Sequence, residues 1–395
     1  MAHQNNANNT SLTWGGVAAN KGTPDATTTA HRRALYLKLF SGELFKGFQR
    51  NTIARDLITK RTLKNGRSLQ FIFTGRTNSE FHVPGQNILG NTDGAPPVAE
   101  VTIECDDLLI SSAFVYELDE TLAHYDLRGE ISRKIGYALA ENYDRRIFRA
   151  VTKAARQASP IQKTNFLEPG GTQIRVGTNN AGTDAYVASS LIDAFYDAAA
   201  ALDEKGVSTE GRVGVLNPRQ YYELIQAVGS NGLVNRDVQG DALQSGNGII
   251  EIAGIKIYKS MNIPFFGKFG TKYGGSGATG TGVTDPGNSG SFVSEDMGNQ
   301  AESASGAPDG QRTVNDYGEG NKFDNSCGLI FQKEAVGCVE AIGPQVQVTS
   351  GDVSVIYQGD VILGRLAMGA APLNPAAAVE LIAGIAPNSG VAQAF

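Results

Sequence analysis

Two stretches that resemble partner β-strands are separated by a long polar segment, and this separation most constrains the fold. In RSLQFIFTGRTNSEFHVPGQNI, residues 67–88, Leu69, Phe71 and Phe73 recur at every second position, which is strand periodicity. The next alternating run, VTIECD, begins only at Val101. If strands near 68–74 and 99–105 pair as a hairpin, the arm they form could reach about 60 Å when fully extended.

Such an arm is too long to fold entirely within its own subunit. A compact chain of 395 residues has a radius of gyration of only about 21 Å. An isolated two-stranded hairpin is also marginally stable in water. We therefore expect exposed apolar residues of the arm to contact another copy of the chain and nearby charges to set the register. The predicted interface residues are Phe71, Phe73, Arg76, Glu80, Phe81 and Val83. The alternative is a packed Ω-like loop within one monomer.

Apolar residues at every fourth position predict one long helix. The segment DLRGEISRKIGYALAENYDRRIFRAVTKAARQ begins at Asp126, a suitable N-cap. At 1.5 Å per residue, a helix of about 30 residues is about 45 Å long. The apolar positions that share one face are Leu127, Ile131, Ile135, Leu139, Tyr143, Ile147 and Val151.

A second compact unit follows the long helix. The segment 184–206 predicts a helix that ends at Gly206, with Val187, Leu191, Ile192, Phe195 and Leu202 directed inward. RVGVL predicts a buried strand, and Asn217-Pro218 predicts the start of another helix. IIEIAGIKIY predicts two strands around a turn at Ala253-Gly254.

Later segments predict further strands. They are CGLIF, AVGCVEAIG, VQVTS, DVSVIY and VILGRLAMG. The fold class is therefore α+β, with a long helix beside one sheet and a mixed second lobe. Residues 267–321 contain frequent glycine and few apolar residues, and we interpret them as a surface insertion in the second lobe.

Charge is distributed unevenly along the chain. Between His31 and Arg67, ten Lys or Arg residues stand against Glu43 and Asp56, which makes this segment +8 and leaves −14 for the rest of a chain whose net charge is −6. A basic arm on an acidic body is an interaction pattern seen with nucleic acid and other partners. The alternative is a solvated face that pairs with acidic neighbours.

The sequence nominates no catalytic, cofactor-binding or metal-binding residue. Its four histidines (His3, His31, His82 and His124) are widely separated, and neither a GxSxG nor a GxxxxGK[ST] motif occurs. Cys105, Cys327 and Cys338 fit neither a disulfide framework nor a CxxC site. No segment has the length of a membrane span or the pattern of a signal peptide. We expect an intracellular, reduced protein that is not an enzyme.

The order of these parts resembles the major capsid proteins of tailed bacteriophages, most closely the short-tailed podoviruses that infect cyanobacteria and coliform bacteria. The resemblance covers most of residues 31–385. The segments that carry it are RALYLKLFSGELFKGFQR, GRSLQFIFTGRTNSEFHVPGQNI, YELDETLAHYDLRGEISRKIGYALA, FQKEAVGCVE and GRLAMGAAPLNPAAAVEL.

The resemblance implies a division into four parts. These are a flexible N-terminus and N-terminal arm, an extended hairpin loop, a peripheral domain whose spine is the long helix, and an axial domain that carries the Gly-rich insertion 267–321. In that order they comprise residues 1–60; 61–106; 107–185 with 341–370; and 186–340 with 371–385.

The resemblance also implies assembly partners. Hexamers and pentamers of the chain would form an icosahedral shell around double-stranded DNA, which the shell contacts non-specifically. A scaffolding protein, a portal at one vertex and assembly in the host cytoplasm belong to the same expectation. Expansion of the shell would shift the arm and the spine helix, where Gly129 and Gly136 lower the cost of bending.

Three other functions are compatible with parts of the sequence. A non-viral compartment shell of the same fold would share all these features. A phage tail or adhesion protein would explain the Gly-rich insertion, but it would favour repeated β-segments, which the sequence lacks. A soluble hydrolase would require a nucleophile and base that no motif supplies.

Overall fold

The computed structural model describes the chain in several stretches that belong to two compact units. The stretches are 53–75, 81–85, 97–105, 108–117, 127–163, 166–178, 183–225, 250–260, 262–263, 326–348 and 358–383. The first unit contains the described residues of Leu108–Glu141 and Ile342–Ala367. The second contains those of Asn51–Asp107, Asn142–Ala341 and Met368–Phe395. The predicted insertion 267–321 and most of the predicted N-terminal arm lie outside the described residues, and the four-part domain division stays a prediction.

The long helix forms as predicted. Helix α1 spans Leu127–Arg156, 30 residues. Ile135 and Leu139 are buried in the first unit, and Ile147 and Val151 are buried in the second. The every-fourth-residue pattern therefore marks the buried face. The predicted cap, Asp126, lies outside the described residues.

The first unit packs α1 against an antiparallel pair of strands, β4 (Leu109–Tyr116) and β13 (Gly359–Pro372). The two strands pair along Gly359–Leu366, with Ala113 opposite Ile362. Gly364 permits close approach of the helix, since a Cβ there would lie 2.4 Å from Ile135 and 2.8 Å from Leu139.

The second unit is built on a six-stranded sheet of order β7-β14-β11-β8-β10-β9. Helices α2 (Ala188–Glu204) and α3 (Pro218–Ile225) contribute to its core, in which Leu191, Phe195 and Leu202 are fully buried. The strands are β7 (Thr172–Val176), β8 (Arg212–Leu216), β9 (Ile250–Ile252), β10 (Ile255–Lys259), β11 (Ser326–Gln332) and β14 (Ala378–Ala383). Short strands β5 (Gln162–Lys163) and β6 (Phe166–Leu167) pair separately.

Turn residues predicted from the sequence adopt the expected backbone. Ala253 and Gly254 both have positive φ, at 52° and 74°, as a two-residue type I′ hairpin requires. Gly206 lies two residues after the end of α2 and has a φ of 71°. One detail differs from prediction: Val187, which was expected to be directed inward, precedes α2 and is exposed. Helix α3 begins at Pro218, as Asn217-Pro218 predicted, and the Asn217 carbonyl accepts from the Tyr221 N–H.

A four-stranded sheet has the order β1-β12-β13-β4, where β1 is Thr59–Thr62 and β12 is Val336–Val348. The prediction of two separate strands in AVGCVEAIG and VQVTS was wrong, because β12 runs continuously through Pro344. Strand β1 pairs only with Gly337–Glu340, so among the described residues it does not flank Pro344. Proline is tolerated in a strand where its missing N–H faces an open edge.

Candidate subunit interface

The predicted hairpin strands pair with each other. Strand β2 (Ser68–Thr74) runs antiparallel to β3 (Val98–Glu104), with Leu69 opposite Ile103 and Phe71 opposite Val101. The Cys105 N–H donates to the Arg67 carbonyl at 2.8 Å at one end, and the Gly75 N–H donates to the Pro97 carbonyl at 2.8 Å at the other. The pairing inferred from two alternating runs is confirmed.

One face of this strand pair lies against its own unit. Ile103 is fully buried, and a Cβ at Gly337 would come within 2.8 Å of its Cδ1. At the other end, a Cβ on Gly75 would lie 2.9 Å from Ile161 Cδ1. The strands are therefore fixed to their own subunit at both ends.

The predicted interface residues divide into three groups. Phe71 and Phe73 are half-buried rather than exposed, because they share a face with Ile103. Phe81 and Val83 are exposed, with relative accessibilities of 102% and 59%. Arg76 and Glu80 lie outside the described residues. The role of all these residues in contacts between copies stays a prediction.

Two exposed apolar residues of the strand pair were missed by the sequence analysis. Ile72 is 75% exposed and Val98 is 60% exposed. Ile72 lies opposite Glu100 and Val98 lies opposite Thr74, so the two side chains are diagonal neighbours on the outer face. Ile72 alternates with Phe71 and Phe73, and an isoleucine on the opposite face of the strand was the available signal for a covered surface. We call Ile72, Phe81, Val83 and Val98 the apolar arm set.

The described part of the basic segment is open to solvent. Strand β1 and the turn after it carry Lys60, Arg61, Lys64 and Arg67, all exposed. Arg67 lies 3.6 Å from the Glu104 carboxylate. The other three side chains present positive charge beside the arm, where an acidic surface or a phosphate can approach them.

Two of the three cysteines are buried. Cys327 and Cys338 are fully buried. Burial raises the pKa of Cys338 to about 12 and also raises the pKa of Cys327, so both thiols are protonated near neutral pH. No group of three or more potential metal-ligating side chains occurs among the described residues. None of the described helices combines the length and apolarity of a membrane span.

Comparison with known proteins identifies the family. The Gp10A-like major capsid protein family matches residues 71–302, more than half of the chain. This chain belongs to that family.

Individual relatives agree with this assignment. The major capsid protein of Escherichia phage T7 is 25% identical over 354 residues, which cover 88% of this chain and 92% of the relative. The capsid structure of cyanophage P-SCSP1u is 30% identical, with a TM-score of 0.64 and coverage of 93% and 98% of the two chains. The mature capsid of bacteriophage PhiM1 shares the fold at 15% identity, with a TM-score of 0.59 and coverage of 89% and 93%.

The family assignment confirms the fold and function that the sequence resemblance implied. The mixed helix and sheet architecture is that of tailed-phage capsid proteins. The chain is a phage major capsid protein, a structural component of the virion. The matched range begins within β2, so it includes the segment that carries the candidate interface.

Proposed function

We propose that this major capsid protein assembles into hexamers and pentamers of an icosahedral shell that encloses double-stranded DNA, and that the apolar arm set makes contacts between copies. The observation that carries the proposal is the full exposure of Phe81, with Val83, Ile72 and Val98 exposed nearby in sequence or across the hairpin. A monomer gains nothing from exposing large apolar side chains on one arm, whereas a shell subunit can bury them.

The free energy expected from burying these side chains is suited to a shell held together by many modest contacts. Full burial of one Val, Ile or Phe side chain stabilises by about 1.5–3 kcal/mol. Association and ordering costs offset much of the gain from one arm. In a closed shell every subunit makes such contacts, so modest individual contacts combine.

Other partners follow from the same proposal. A scaffolding protein would guide assembly in the host cytoplasm, and a portal would occupy one vertex. The exposed Lys60, Arg61 and Lys64 suit non-specific contact with DNA phosphates. The proposed role is structural, with no catalytic residue, metal or cofactor.

The domain roles complete the proposal. Residues 1–60 and 61–106 would reach other copies; 107–185 with 341–370 would form the peripheral domain. Residues 186–340 with 371–385 would form the axial domain. Gly129 and Gly136 would let the spine helix bend during expansion; a Cβ at Gly136 would meet nothing within 4 Å, so packing does not require that glycine.

The test is assembly of the purified chain with and without its scaffolding protein, followed by negative-stain electron microscopy and sedimentation. Wild type should form hexamers, pentamers or closed shells. Phe81→Ser with Val83→Ser should reduce closed shells, whereas Thr102→Ala, an exposed polar position on the same arm, should not. A wild-type chain that stays monomeric in every condition would contradict the proposal.

A further inference from the structure

The segment that follows the predicted N-terminal arm is fixed to the long helix by one carboxylate. The Ile53 N–H donates to Asp144 Oδ2 at 2.8 Å, and the Ala54 N–H donates to Asp144 Oδ1 at 3.2 Å. Both carboxylate oxygens therefore accept from a short turn, Ala54–Asp56, that lies about ninety residues earlier in the chain.

A second carboxylate holds the next residue of the turn. Arg55 lies 3.2 Å from Glu340 Oε2 in β12. The Tyr143 hydroxyl donates to Glu340 Oε1 at 2.8 Å, and burial is the main cause that raises the pKa of Tyr143. The Tyr143 hydroxyl therefore stays protonated and continues to donate this hydrogen bond. The bond keeps the Glu340 carboxylate directed toward Arg55.

A third chain segment reaches the same place. The Asn262 side-chain amide donates to Asp144 Oδ2 at 3.4 Å, and Asn262 is itself buried. Asp144 thus receives donors from the turn at 53–54 and from the segment after β10.

The apolar side of the turn is also fixed. Ala54 is fully buried and Ile58 almost so. Asp144 is 1% exposed, and an ionised carboxylate at such depth is costly unless hydrogen bonds compensate it. The turn N–H groups supply part of that compensation. Displacing the turn would leave a buried carboxylate with fewer donors, so the turn has one strongly preferred position.

We propose that Asp144 and Glu340 act as positioning residues that fix the direction in which the chain before Ile53 leaves the body, and thereby select the copy that the N-terminal arm contacts. This inference rests on the proposed assembly function. Ile53 is the covalent link between the described body and the preceding residues, which include basic residues from Arg32 to Arg50.

The test compares Asp144→Ala and Glu340→Gln with a matched control that removes an exposed carboxylate outside the turn, Glu334→Gln. In the isolated subunit, hydrogen exchange of the Ile53 and Ala54 amides in Asp144→Ala should accelerate by about tenfold or more, because each amide loses a charged acceptor. The six-stranded sheet should keep its protection. Glu340→Gln should retain the hydrogen bond from the Tyr143 hydroxyl and lose the ion pair with Arg55.

Assembly supplies the second measurement. Asp144→Ala should form about tenfold fewer closed shells than wild type, since one weakened contact recurs in every subunit, while Glu334→Gln should assemble normally. If Asp144→Ala does not fold, Asp144→Asn keeps the shape and removes the charge. Wild-type shell yield in the folded Asp144 variant, or unchanged amide exchange, would overturn the inference. Failure of wild type to assemble would count against the proposed function, and the exchange comparison would still decide whether Asp144 holds the turn.

Discussion

The six-stranded sheet and the hairpin arm differ in how much of their apolar surface their own chain covers. Every residue of β8 and β14 is buried, and α2 contributes Leu191, Phe195 and Leu202 to the same core. In the arm, β2 alternates exposed and half-buried residues along its whole length, and residues 81–85 are all exposed.

This difference separates two sources of stability. The sheet finds its packing partners within the subunit, so its stability is set by folding. The arm has one strand face covered by its own unit, while Ile72 and Val98 on the outer face, and Phe81 and Val83 beyond the strands, are exposed. Under the proposed function, a second copy covers these four side chains. Substitutions in the sheet should therefore change folding, and substitutions on the outer arm should change assembly.

The largest effect on folding is expected at the buried ion pair of the second unit. Arg156 and Glu380 are almost completely buried, with nitrogen–oxygen distances of 2.6 and 2.7 Å. Gln173 also donates to Glu380, at 2.9 Å. Glu380→Ala should lower the free energy of unfolding by about 3–5 kcal/mol, because it leaves a buried guanidinium without its carboxylate. Denaturant unfolding of the isolated subunit measures this change.

A double variant shows whether an unpaired buried charge is the cause of the destabilisation in Glu380→Ala. Arg156→Met with Glu380→Met should destabilise less than Glu380→Ala, because replacing both partners with apolar groups leaves no unpaired charge. Equal or greater destabilisation of the double variant would contradict this explanation and point to packing instead.

Two phenylalanines test the comparison directly. Phe195→Ala should lower the free energy of unfolding by about 3–5 kcal/mol through loss of buried contacts and a cavity. Phe81→Ala should leave subunit unfolding nearly unchanged and reduce shell formation. Parallel measurements of unfolding and of sedimentation distinguish these outcomes. A loss of subunit stability in Phe81→Ala would mean that Phe81 packs within its own chain.

The helix glycines test the expansion role. Gly136→Ala should stabilise the subunit by about 1 kcal/mol, because glycine is a poor residue in a helix interior and the added Cβ meets no atom within 4 Å. Gly129→Ala with Gly136→Ala should hinder expansion of assembled shells, measured as shell diameter by electron microscopy. Ala138→Gly, at an exposed position of the same helix, is the control. Normal expansion of the double variant would remove the proposed bending role.

The smallest effect is expected at the type I′ turn. Ala253 has a φ of 52°, a left-handed conformation that costs most L-residues free energy. Ala253→Asn should stabilise the subunit by about 0.5–1 kcal/mol, because Asn-Gly is favoured in this turn. Thermal unfolding measures the gain, with Ala253→Val as the destabilising control. A lower melting temperature for Ala253→Asn would contradict the assigned turn geometry.

Local patterns predicted the elements that depend on local physics. Apolar spacing located α1, because one face of a buried helix must repeat about every fourth residue. Alternation located β2 and β3, and Ala253-Gly254 located a hairpin. These features require only neighbouring residues, which the sequence displays directly.

Features that depend on distant contacts were not predictable in the same way. Half-burial of Phe71 and Phe73 follows from packing of the strand pair on its own unit, which periodicity does not reveal. The donors of Asp144 come from Ile53 and Ala54, and Glu380 pairs with Arg156 across 224 residues. The continuation of β12 through Pro344 is likewise a property of the sheet, in which β1 pairs only with Gly337–Glu340.

Hydrogen exchange of one chain in two states tests the central claim most directly. Exchange is measured for residues 81–85, for β2 and β3, and for β8 and β14, first in the isolated subunit and then in the assembled shell. We expect β8, β14 and the mutually paired strands β2 and β3 to be protected in both states, and residues 81–85 to gain protection only on assembly. Residues 81–85 already protected in the isolated subunit, or still unprotected in the shell, would contradict the account.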